Sequence, residues 1–280
     1  MIIAGIQMKC NGSKEENIAK ADSMVRKASA TGARLIVLPE LFHLKFFTAE
    51  WNPEHLAFAE GIQGETVGWG RNLARQLKIY LFIPFFEQSG EKAYFNNVAL
   101  ASPDGDIVGS YRKQYIPFNP HNIEKRYFTS SFSSLPVFVI EDIKVAIIIC
   151  YERHFPELCR IAALKGAHLM VIPSATQEAL GRNAETWKAE LITRAYENGM
   201  YVIGVNRCGM ERSRRFFGRS VLIDPYGTIV AQLGAKEGII AGDISTDHVQ
   251  KVRADFGILQ DIKPAHIKEL LDLAKLIVRK

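Results

Sequence analysis

The chain has 280 residues, of which 48% are hydrophobic, and its formal net charge is +5. A chain of this length can bury a large core, and its balanced composition excludes a disordered polymer. The small basic excess is spread along the chain, whereas a nucleic-acid surface needs a longer basic stripe with a recognisable module. No apolar run approaches the roughly 20 residues that span a bilayer. We therefore expect a globular protein that binds neither nucleic acid nor a membrane.

The predicted elements alternate between strand and helix from the N-terminus. Residues 2–8 predict a strand rather than a signal peptide, because no charged region precedes their apolar run. Ser13 and Glu16 form a capping-box pattern that opens a helix, and Gly32 is its expected C-terminal signal. Residues 35–38 are apolar at every position, which is typical of a strand covered on both faces. This alternation predicts an α/β fold with helices outside.

The alternation continues to the end of the chain. Further helices are predicted over residues 67–77, 156–165, 184–198 and 264–278. Further strands are predicted over residues 79–86, 94–101, 107–111, 145–149, 169–172, 201–205, 218–223, 228–232 and 238–243. No linker and no internal repeat interrupts the pattern. It predicts one domain over residues 1–280, with 244–280 as a C-terminal helical tail.

The cysteine and histidine patterns indicate neither a metal nor a redox site. None of the four cysteines forms a C-x-x-C pair, and the histidines show no spacing such as H-E-x-x-H. The chain also has no G-x-G-x-x-G, P-loop or G-x-S-x-G motif. We therefore expect no metal, no cofactor and a cytoplasmic protein with reduced thiols.

Three polar residues stand where apolar strands are predicted to end: Glu40, Lys113 and Cys150. Functional side chains of α/β folds collect at the carboxyl ends of strands, where a crevice opens. An acid, a cation and a thiol in such a place form a plausible nucleophilic set. Taken singly, each residue also fits an ordinary structural role, as a turn acid, a surface lysine or a buried thiol. Spacing alone leaves these alternatives open.

The local motifs around these residues narrow the alternatives. They are Leu38-Pro-Glu40, Tyr111-Arg-Lys113, Ile116-Pro117, Glu124-Lys-Arg-Tyr-Phe128, Ile149-Cys-Tyr-Glu-Arg-His-Phe-Pro-Glu157, Pro173-Ser-Ala175, Arg194-Ala-Tyr-Glu-Asn198, Asn206-Arg207, Phe217-Gly-Arg-Ser220 and Asp224-Pro-Tyr-Gly227. Each motif is weak by itself, but together and in this order the set resembles the nitrilase superfamily of carbon–nitrogen hydrolases over nearly the whole chain. The resemblance implies a four-layer α-β-β-α sandwich and a homodimer or higher homo-oligomer that pairs through helices.

The resemblance also implies a role for each site residue. Cys150 would be the nucleophile, and Glu40 the general base that takes its proton and later activates water. Lys113 would hold the developing oxyanion with the backbone N–H of Tyr151. Glu124 would be a second glutamate that orients the substrate or the lysine and assists proton transfer. The chemistry is consistent with these types, because a free thiol with a pKa of about 8.5 is only slightly ionised at neutral pH and needs a nearby base.

Arg153 carries the prediction about the substrate. In relatives that act on N-carbamoyl amino acids, an arginine at this place grips the substrate carboxylate, for which its bidentate fork is suited. Ser174 is a further expected substrate contact. The leading interpretation is an N-carbamoyl amino acid amidohydrolase that releases ammonia and CO2. Tyr115 and Asn122 stand where some D-carbamoylases have histidines. This difference counts against a D-selective enzyme and leaves β-ureidopropionase-like or other carboxylate substrates open.

Other interpretations also remain. Relatives that act on N-carbamoylputrescine typically carry glutamine at the position of Arg153, and this arginine would otherwise form a salt bridge that holds the loop. An N-carbamoylputrescine amidase, an omega-amidase or aliphatic amidase, and a non-catalytic binding or scaffold protein on the same fold are the alternatives. Phe46, Arg182 and Trp187 are further candidates for the pocket wall.

Overall fold

The computed structural model describes residues 1–179, 181 and 183–278. Its first mixed sheet has six strands in the spatial order β14-β1-β2-β3-β4-β5. These strands are β1 Ile2–Gln7, β2 Leu35–Val37, β3 Tyr80–Ser89, β4 Ala93–Ala101, β5 Ile107–Arg112 and β14 Gly238–Asp243. The strands β1, β2 and β3 run parallel, and the outer pairs are antiparallel.

A second mixed sheet of six strands has the spatial order β13-β12-β9-β8-β7-β6. Its strands are β6 Val137–Ile140, β7 Ile143–Ile147, β8 Leu169–Ser174, β9 Tyr201–Asn206, β12 Val221–Ile223 and β13 Ile229–Gln232. The strands β7, β8 and β9 run parallel. A separate hairpin consists of β10 Cys208–Glu211 and β11 Arg214–Phe217.

The helices of the described residues cover the outer faces of the sheets and the C-terminal region. They are α1 Lys14–Ser29, α2 Glu65–Leu77, α3 Pro156–Leu164, α4 Ala184–Tyr196, α5 Thr246–Phe256 and α6 Pro264–Val278. Apolar residues of α1 and α2 pack on the first sheet, and those of α3 and α4 pack on the second. None of these helices is both long and apolar enough to cross a membrane.

The two sheets face each other across the largest apolar core. Along β1, Ile3 belongs to the core between the sheets, whereas Ala4 and Ile6 pack with α1, as the period-two alternation of a strand requires. A Cβ built on Gly5 would lie 2.5 Å from Cγ2 of Val205 in β9, so the sheets touch closely here. The layers therefore follow the order helices, sheet, sheet, helices, and the four-layer α-β-β-α prediction is confirmed.

Most predicted elements appear with ends shifted by a few residues. The capping box of Ser13 and Glu16 is present. The helix α1 ends at Ser29, three residues before the predicted C-terminal signal Gly32, whose φ of 90° belongs to the turn that follows the helix. The predicted strand 218–223 begins only at Val221. The sequence patterns gave no strand for β6, because its four residues are too few for a clear period, whereas α5 lies within the predicted C-terminal helical tail 244–280.

The close approach at Gly5 gives a test of the packing between the sheets. Gly5→Ala should lower the free energy of unfolding by about 1–3 kcal/mol, because the added methyl group collides with the buried Val205 side chain. Gly61→Ala is the control, since a Cβ there meets no atom within 4 Å, and it should change stability by less than about 0.5 kcal/mol. Urea unfolding measures both variants. Equal stabilities would contradict the close contact of the sheets.

Candidate active site

Four chain segments that follow strands converge at one place. Glu40 lies three residues beyond β2, Lys113 directly follows β5, and Cys150 lies three residues beyond β7. Glu124 begins a one-turn helix in the connection between β5 and β6. Because β2 and β5 belong to the first sheet and β7 to the second, the site is built from both sheets.

The Lys113 ammonium lies at the centre of the site. Its Nζ donates to Oε1 of Glu40 and to Oε2 of Glu124, both at 2.8 Å. Lys113 is 0% exposed and each glutamate is 2% exposed, so the three charged groups are removed from water together. Such burial is tolerated only where each charge is paired and hydrogen-bonded, which this geometry provides.

The Glu40 carboxylate also accepts hydrogen bonds from two other donors. Asn96 Nδ2 donates to Oε1 at 2.8 Å, and the backbone N–H of Ala175 donates to Oε2 at 2.9 Å. The backbone of this segment is held by Arg207, which is fully buried and donates from Nη2 to the carbonyls of Glu40 and Leu41. Leu41 has a φ of 47°, a left-handed conformation that a leucine adopts only where its surroundings enforce it. The position of the carboxylate is therefore fixed from two sides.

The pKa values of the two carboxylates are shifted in opposite directions. Burial would raise the pKa of Glu40, but the Lys113 ammonium and the hydrogen bonds that the carboxylate accepts hold it below its usual value. Burial raises the pKa of Glu124 above its usual value, and Lys113 offsets this only in part. The pKa of Lys113 is raised, because its two carboxylates outweigh its burial. The surroundings therefore favour the ionised form of Glu40, which can accept a proton, and the protonated form of Glu124, which can donate one.

Cys150 lies in a tight turn whose conformation is enforced by Glu152. Cys150 has a φ of 47° and begins a one-turn helix, Cys150–His154. Oε2 of Glu152 accepts from the N–H of Ile149 at 2.7 Å, and Oε1 accepts from the N–H of Gln114 at 2.7 Å and from the Tyr111 hydroxyl at 2.8 Å. This buried carboxylate therefore ties the thiol-bearing turn to the strand end that carries Lys113.

Two polar groups contact the sulfur of Cys150. Thr176 Oγ1 lies 3.6 Å from Sγ, and Nη1 of Arg153 lies 3.9 Å from it. Burial and the Glu40 carboxylate raise the pKa of the thiol, whereas Lys113 and Arg153 lower it. The remaining cysteines are also buried, and the pKa of each is raised to about 12; they are Cys10, Cys159 and Cys208.

A family model described as carbon-nitrogen hydrolase matches residues 2–254. The chain belongs to this family. It is accordingly a hydrolase that acts on carbon–nitrogen bonds other than peptide bonds, and the scaffold alternative is set aside.

Curated relatives and solved structures agree with this assignment. The chain is 30% identical to an N-carbamoylputrescine amidase from Solanum lycopersicum, over 97% of this chain and 95% of the relative. It is 30% identical to a deaminated glutathione amidase from Rattus norvegicus, over 98% and 85%. A carbon-nitrogen hydrolase from Helicobacter pylori G27 superposes with a TM-score of 0.92 at 27% identity, covering 97% of this chain and 98% of that one.

An amidase from Nesterenkonia sp. AN1 extends the comparison to the chemistry of that protein. A variant of it superposes with a TM-score of 0.82 at 26% identity, over 96% of this chain and 95% of that one. In that structure, the acetamide moiety of fluoroacetamide is added covalently to the active site cysteine.

In this carbon-nitrogen hydrolase, Arg153 is already engaged within the protein. Its Nε donates to Oε2 of Glu190 at 2.8 Å, and its Nη1 donates to the carbonyl of Cys150 at 2.9 Å. Its guanidinium also lies over the Trp187 ring, 5.1 Å from the centroid. His154 contacts the other oxygen of Glu190. The structure thus places Arg153 beside the thiol in the salt bridge that the sequence left open, and its grip on a substrate carboxylate stays a prediction.

The remaining predicted pocket residues lie in different surroundings. Ser174 is fully buried, and its hydroxyl donates to the carbonyl of Ile172, so its substrate contact stays a prediction. Tyr151 is half-buried and lines a cavity of about 480 Å³. Phe46 lines a separate cavity of about 690 Å³, whereas Arg182 lies outside the described residues.

The cavity that Tyr151 lines adjoins the site. Its described lining consists of Gln114, Tyr115, Ile116, Lys125, Phe128, Ser130, Tyr151 and Phe155. Three of these residues are the direct sequence neighbours of Lys113, Glu124 and Cys150. Lys125 supplies a positive charge to this lining.

Sequence reasoning missed several polar residues that hold the site together. Glu152 and Arg207 stood inside recognised motifs without an assigned role. Asn96 had a usable signal, because a pair of asparagines in the middle of an apolar strand needs hydrogen-bond partners when it is buried. Thr176 and Glu190 had no such signal, because their contacts depend on distant segments.

The buried charge cluster predicts a pH-dependent loss of stability. Lys113→Met should lower the free energy of unfolding by about 3–5 kcal/mol at pH 7, because two buried carboxylates lose their counter-charge. Their pKa values in the folded variant would lie above the unfolded values, so the loss should shrink as the pH falls to 5. Urea unfolding at both pH values measures the loss of stability. Lys125→Met is the control, because Lys125 follows Glu124 in the chain but its side chain is exposed. An equal loss at both pH values would contradict the cluster.

Proposed function

We propose that this enzyme hydrolyses a small linear amide or N-carbamoyl compound through a covalent intermediate on Cys150. The observation that carries the proposal is one buried lysine that donates to two buried carboxylates at the place where the Cys150 turn reaches the same site. Hydrolysis of an amide by a thiol needs one group that accepts a proton and another that donates one. The lowered pKa of Glu40 favours the accepting form, and the raised pKa of Glu124 favours the donating form.

The first half of the reaction forms the intermediate. The sulfur of Cys150 attacks the carbonyl carbon while its proton passes to Glu40, and the carbonyl becomes a tetrahedral oxyanion. Lys113 and the backbone N–H of Tyr151 stabilise this oxyanion. Loss of one such donor costs on the order of 10²–10³ in rate. Glu40 then gives this proton to the nitrogen, Glu124 assists the transfer, and the C–N bond breaks as the oxyanion collapses, which releases ammonia or an amine.

The second half of the reaction regenerates the thiol. The Glu40 carboxylate takes a proton from water, whose oxygen attacks the thioester or carbamoyl-thiol intermediate. The C–S bond then breaks, and Glu40 returns the proton to the sulfur. A simple amide then yields a carboxylic acid. An N-carbamoyl amino acid, having lost ammonia in the first half, yields a carbamate that releases CO2 and the free amino acid.

Two basic residues favour a substrate that carries a carboxylate. Lys125 lines the cavity next to the site, and Arg153 lies beside the thiol. We therefore propose an N-carbamoyl amino acid as the first substrate to test. A guanidinium already paired with Glu190 would add one further donor to the carboxylate rather than a complete bidentate fork.

The pairing of Arg153 with Glu190 also favours a second candidate. Because Glu190 neutralises the guanidinium and stays partly exposed, the site tolerates a substrate with a cationic tail. N-carbamoylputrescine is such a compound, and a relative at 30% identity is named for it. A simple amide, as in an omega-amidase, remains the third substrate class.

Self-association stays a prediction from the resemblance. Apolar side chains are exposed on α3, at Ile161 and Leu164, and along α6, at Leu270, Leu273 and Leu276. These surfaces support pairing of protomers through the helix after Cys150, with the C-terminal tail as an additional contact.

The mechanism predicts that one thiol is essential. Cys150→Ala should reduce hydrolysis by at least about 10⁴-fold with the fold retained, because the covalent intermediate cannot form. Cys159→Ala is the matched control, since this buried thiol packs in α3 away from the charged cluster. Ammonia release measures turnover, and intact mass spectrometry should show the acyl adduct only in proteins with Cys150. Retained turnover in Cys150→Ala would exclude the mechanism.

A substrate panel separates the candidate functions. We expect ammonia release from N-carbamoyl-β-alanine to exceed that from N-carbamoylputrescine and from α-ketoglutaramate. Arg153→Gln should raise KM for the first compound about tenfold or more and leave KM for N-carbamoylputrescine nearly unchanged, because only the first loses a charge-assisted hydrogen bond. A preference for N-carbamoylputrescine, or a KM that rises equally for both, would exclude the carboxylate-bearing substrate.

A further inference from the structure

The Thr176 hydroxyl contacts the sulfur of the proposed nucleophile. Oγ1 lies 3.6 Å from Sγ, within hydrogen-bond range for the larger sulfur atom, and Thr176 is 3% exposed. Throughout the part of the chain that the structure describes, this hydroxyl makes no other side-chain or backbone hydrogen bond. Its hydrogen is therefore free to point at the sulfur.

The backbone of Thr176 is held on both sides by one side chain. Oδ1 of Asn206 accepts from the N–H of Thr176 at 2.8 Å, and its Nδ2 donates to the carbonyl of Thr176 at 3.1 Å. The same Nδ2 donates to the carbonyl of Gly218 at 3.1 Å. Asn206 ends β9 and is fully buried. The second sheet therefore fixes the place of the hydroxyl relative to Cys150.

We propose that Thr176 is a further catalytic residue, whose hydroxyl donates a hydrogen bond to the Cys150 sulfur as the thiol proton passes to Glu40, and that Asn206 is its positioning residue. This inference rests on the proposed function. In the step concerned, the S–H bond breaks, its proton goes to the Glu40 carboxylate, and the sulfur electron pair forms the new bond to the carbonyl carbon. The hydroxyl keeps its own proton throughout.

The charges around the sulfur explain why a neutral donor is useful there. The Glu40 carboxylate must stay close to accept the proton, yet its negative charge opposes a second anion beside it. Lys113 is shared between two carboxylates, and Arg153 is paired with Glu190. A hydroxyl dipole stabilises the developing thiolate without another buried charge that would itself need a partner.

Alkylation of Cys150 tests the hydrogen bond without any substrate. The rate of modification by iodoacetamide is measured against pH by mass spectrometry in the wild type and in Thr176→Val, Thr176→Ala and Thr176→Ser. Removal of the hydroxyl should slow alkylation at pH 7 about tenfold and move the midpoint of the pH profile about one pH unit higher. Thr176→Ser keeps the donor and should stay within about threefold of the wild type.

Matched variants separate this role from packing. Thr66→Val alters another buried threonine, in α2, and should leave the alkylation profile unchanged. Asn206→Leu should shift the profile in the same direction as Thr176→Val, and the double variant should be no slower than the slower single variant, since both changes remove one interaction. Melting temperatures identify any variant that fails to fold, in which case Thr176→Ala replaces Thr176→Val.

The outcomes are distinguishable from a failure of the proposed function. If Thr176→Val and Thr176→Ala are alkylated with the wild-type profile, the inference is overturned, whatever the substrate proves to be. If the Thr176→Ser variant is as slow as Thr176→Val, the effect is one of packing and the inference is likewise overturned. If Cys150→Ala still turns over amides, the proposed function fails. The alkylation profiles of Cys150 in the Thr176 variants would still report on the hydrogen bond to the thiol.

Discussion

The site depends on one buried ammonium group placed between two carboxylates. Lys113 has no access to water, and neither Glu40 nor Glu124 would tolerate its surroundings as an unpaired anion. The unequal division of this charge leaves one carboxylate ionised and raises the proton affinity of the other. A single interaction thereby keeps three buried charged groups paired and favours different proton occupancies on the two carboxylates, as the proposed reaction needs.

Three buried polar side chains hold the segments that carry these groups. Arg207 binds the carbonyls that follow β2, Glu152 joins the thiol turn to the end of β5, and Asn206 fixes the segment after β8. Each of them joins two segments that are distant in sequence, and each lies at the end of a strand or within a few residues of it, so the sheets help to set the geometry. Such preorganisation is valuable where polar groups must face charge that develops only during the reaction.

The surroundings of the thiol bear on the choice of substrate. Arg153 contacts the nucleophile's own backbone carbonyl and an acidic partner, Glu190, so its charge is divided between the protein and any ligand. Lys125 lines the neighbouring cavity, and its side chain, unlike that of Arg153, is exposed. Recognition of a carboxylate would therefore combine a buried, partly neutralised guanidinium with an exposed ammonium at the cavity wall.

The sequence by itself determined the α/β alternation, the family resemblance and the candidates Glu40, Lys113, Glu124 and Cys150, because apolar periodicity and short motifs are local properties. Only the tertiary structure decided that these groups meet, that Lys113 joins both carboxylates, and that Arg153 is paired with Glu190. It also revealed Thr176 and Asn206, whose partners lie 26 and 30 residues away in the chain. Contacts of this kind depend on how two sheets pack against each other, which no local pattern records.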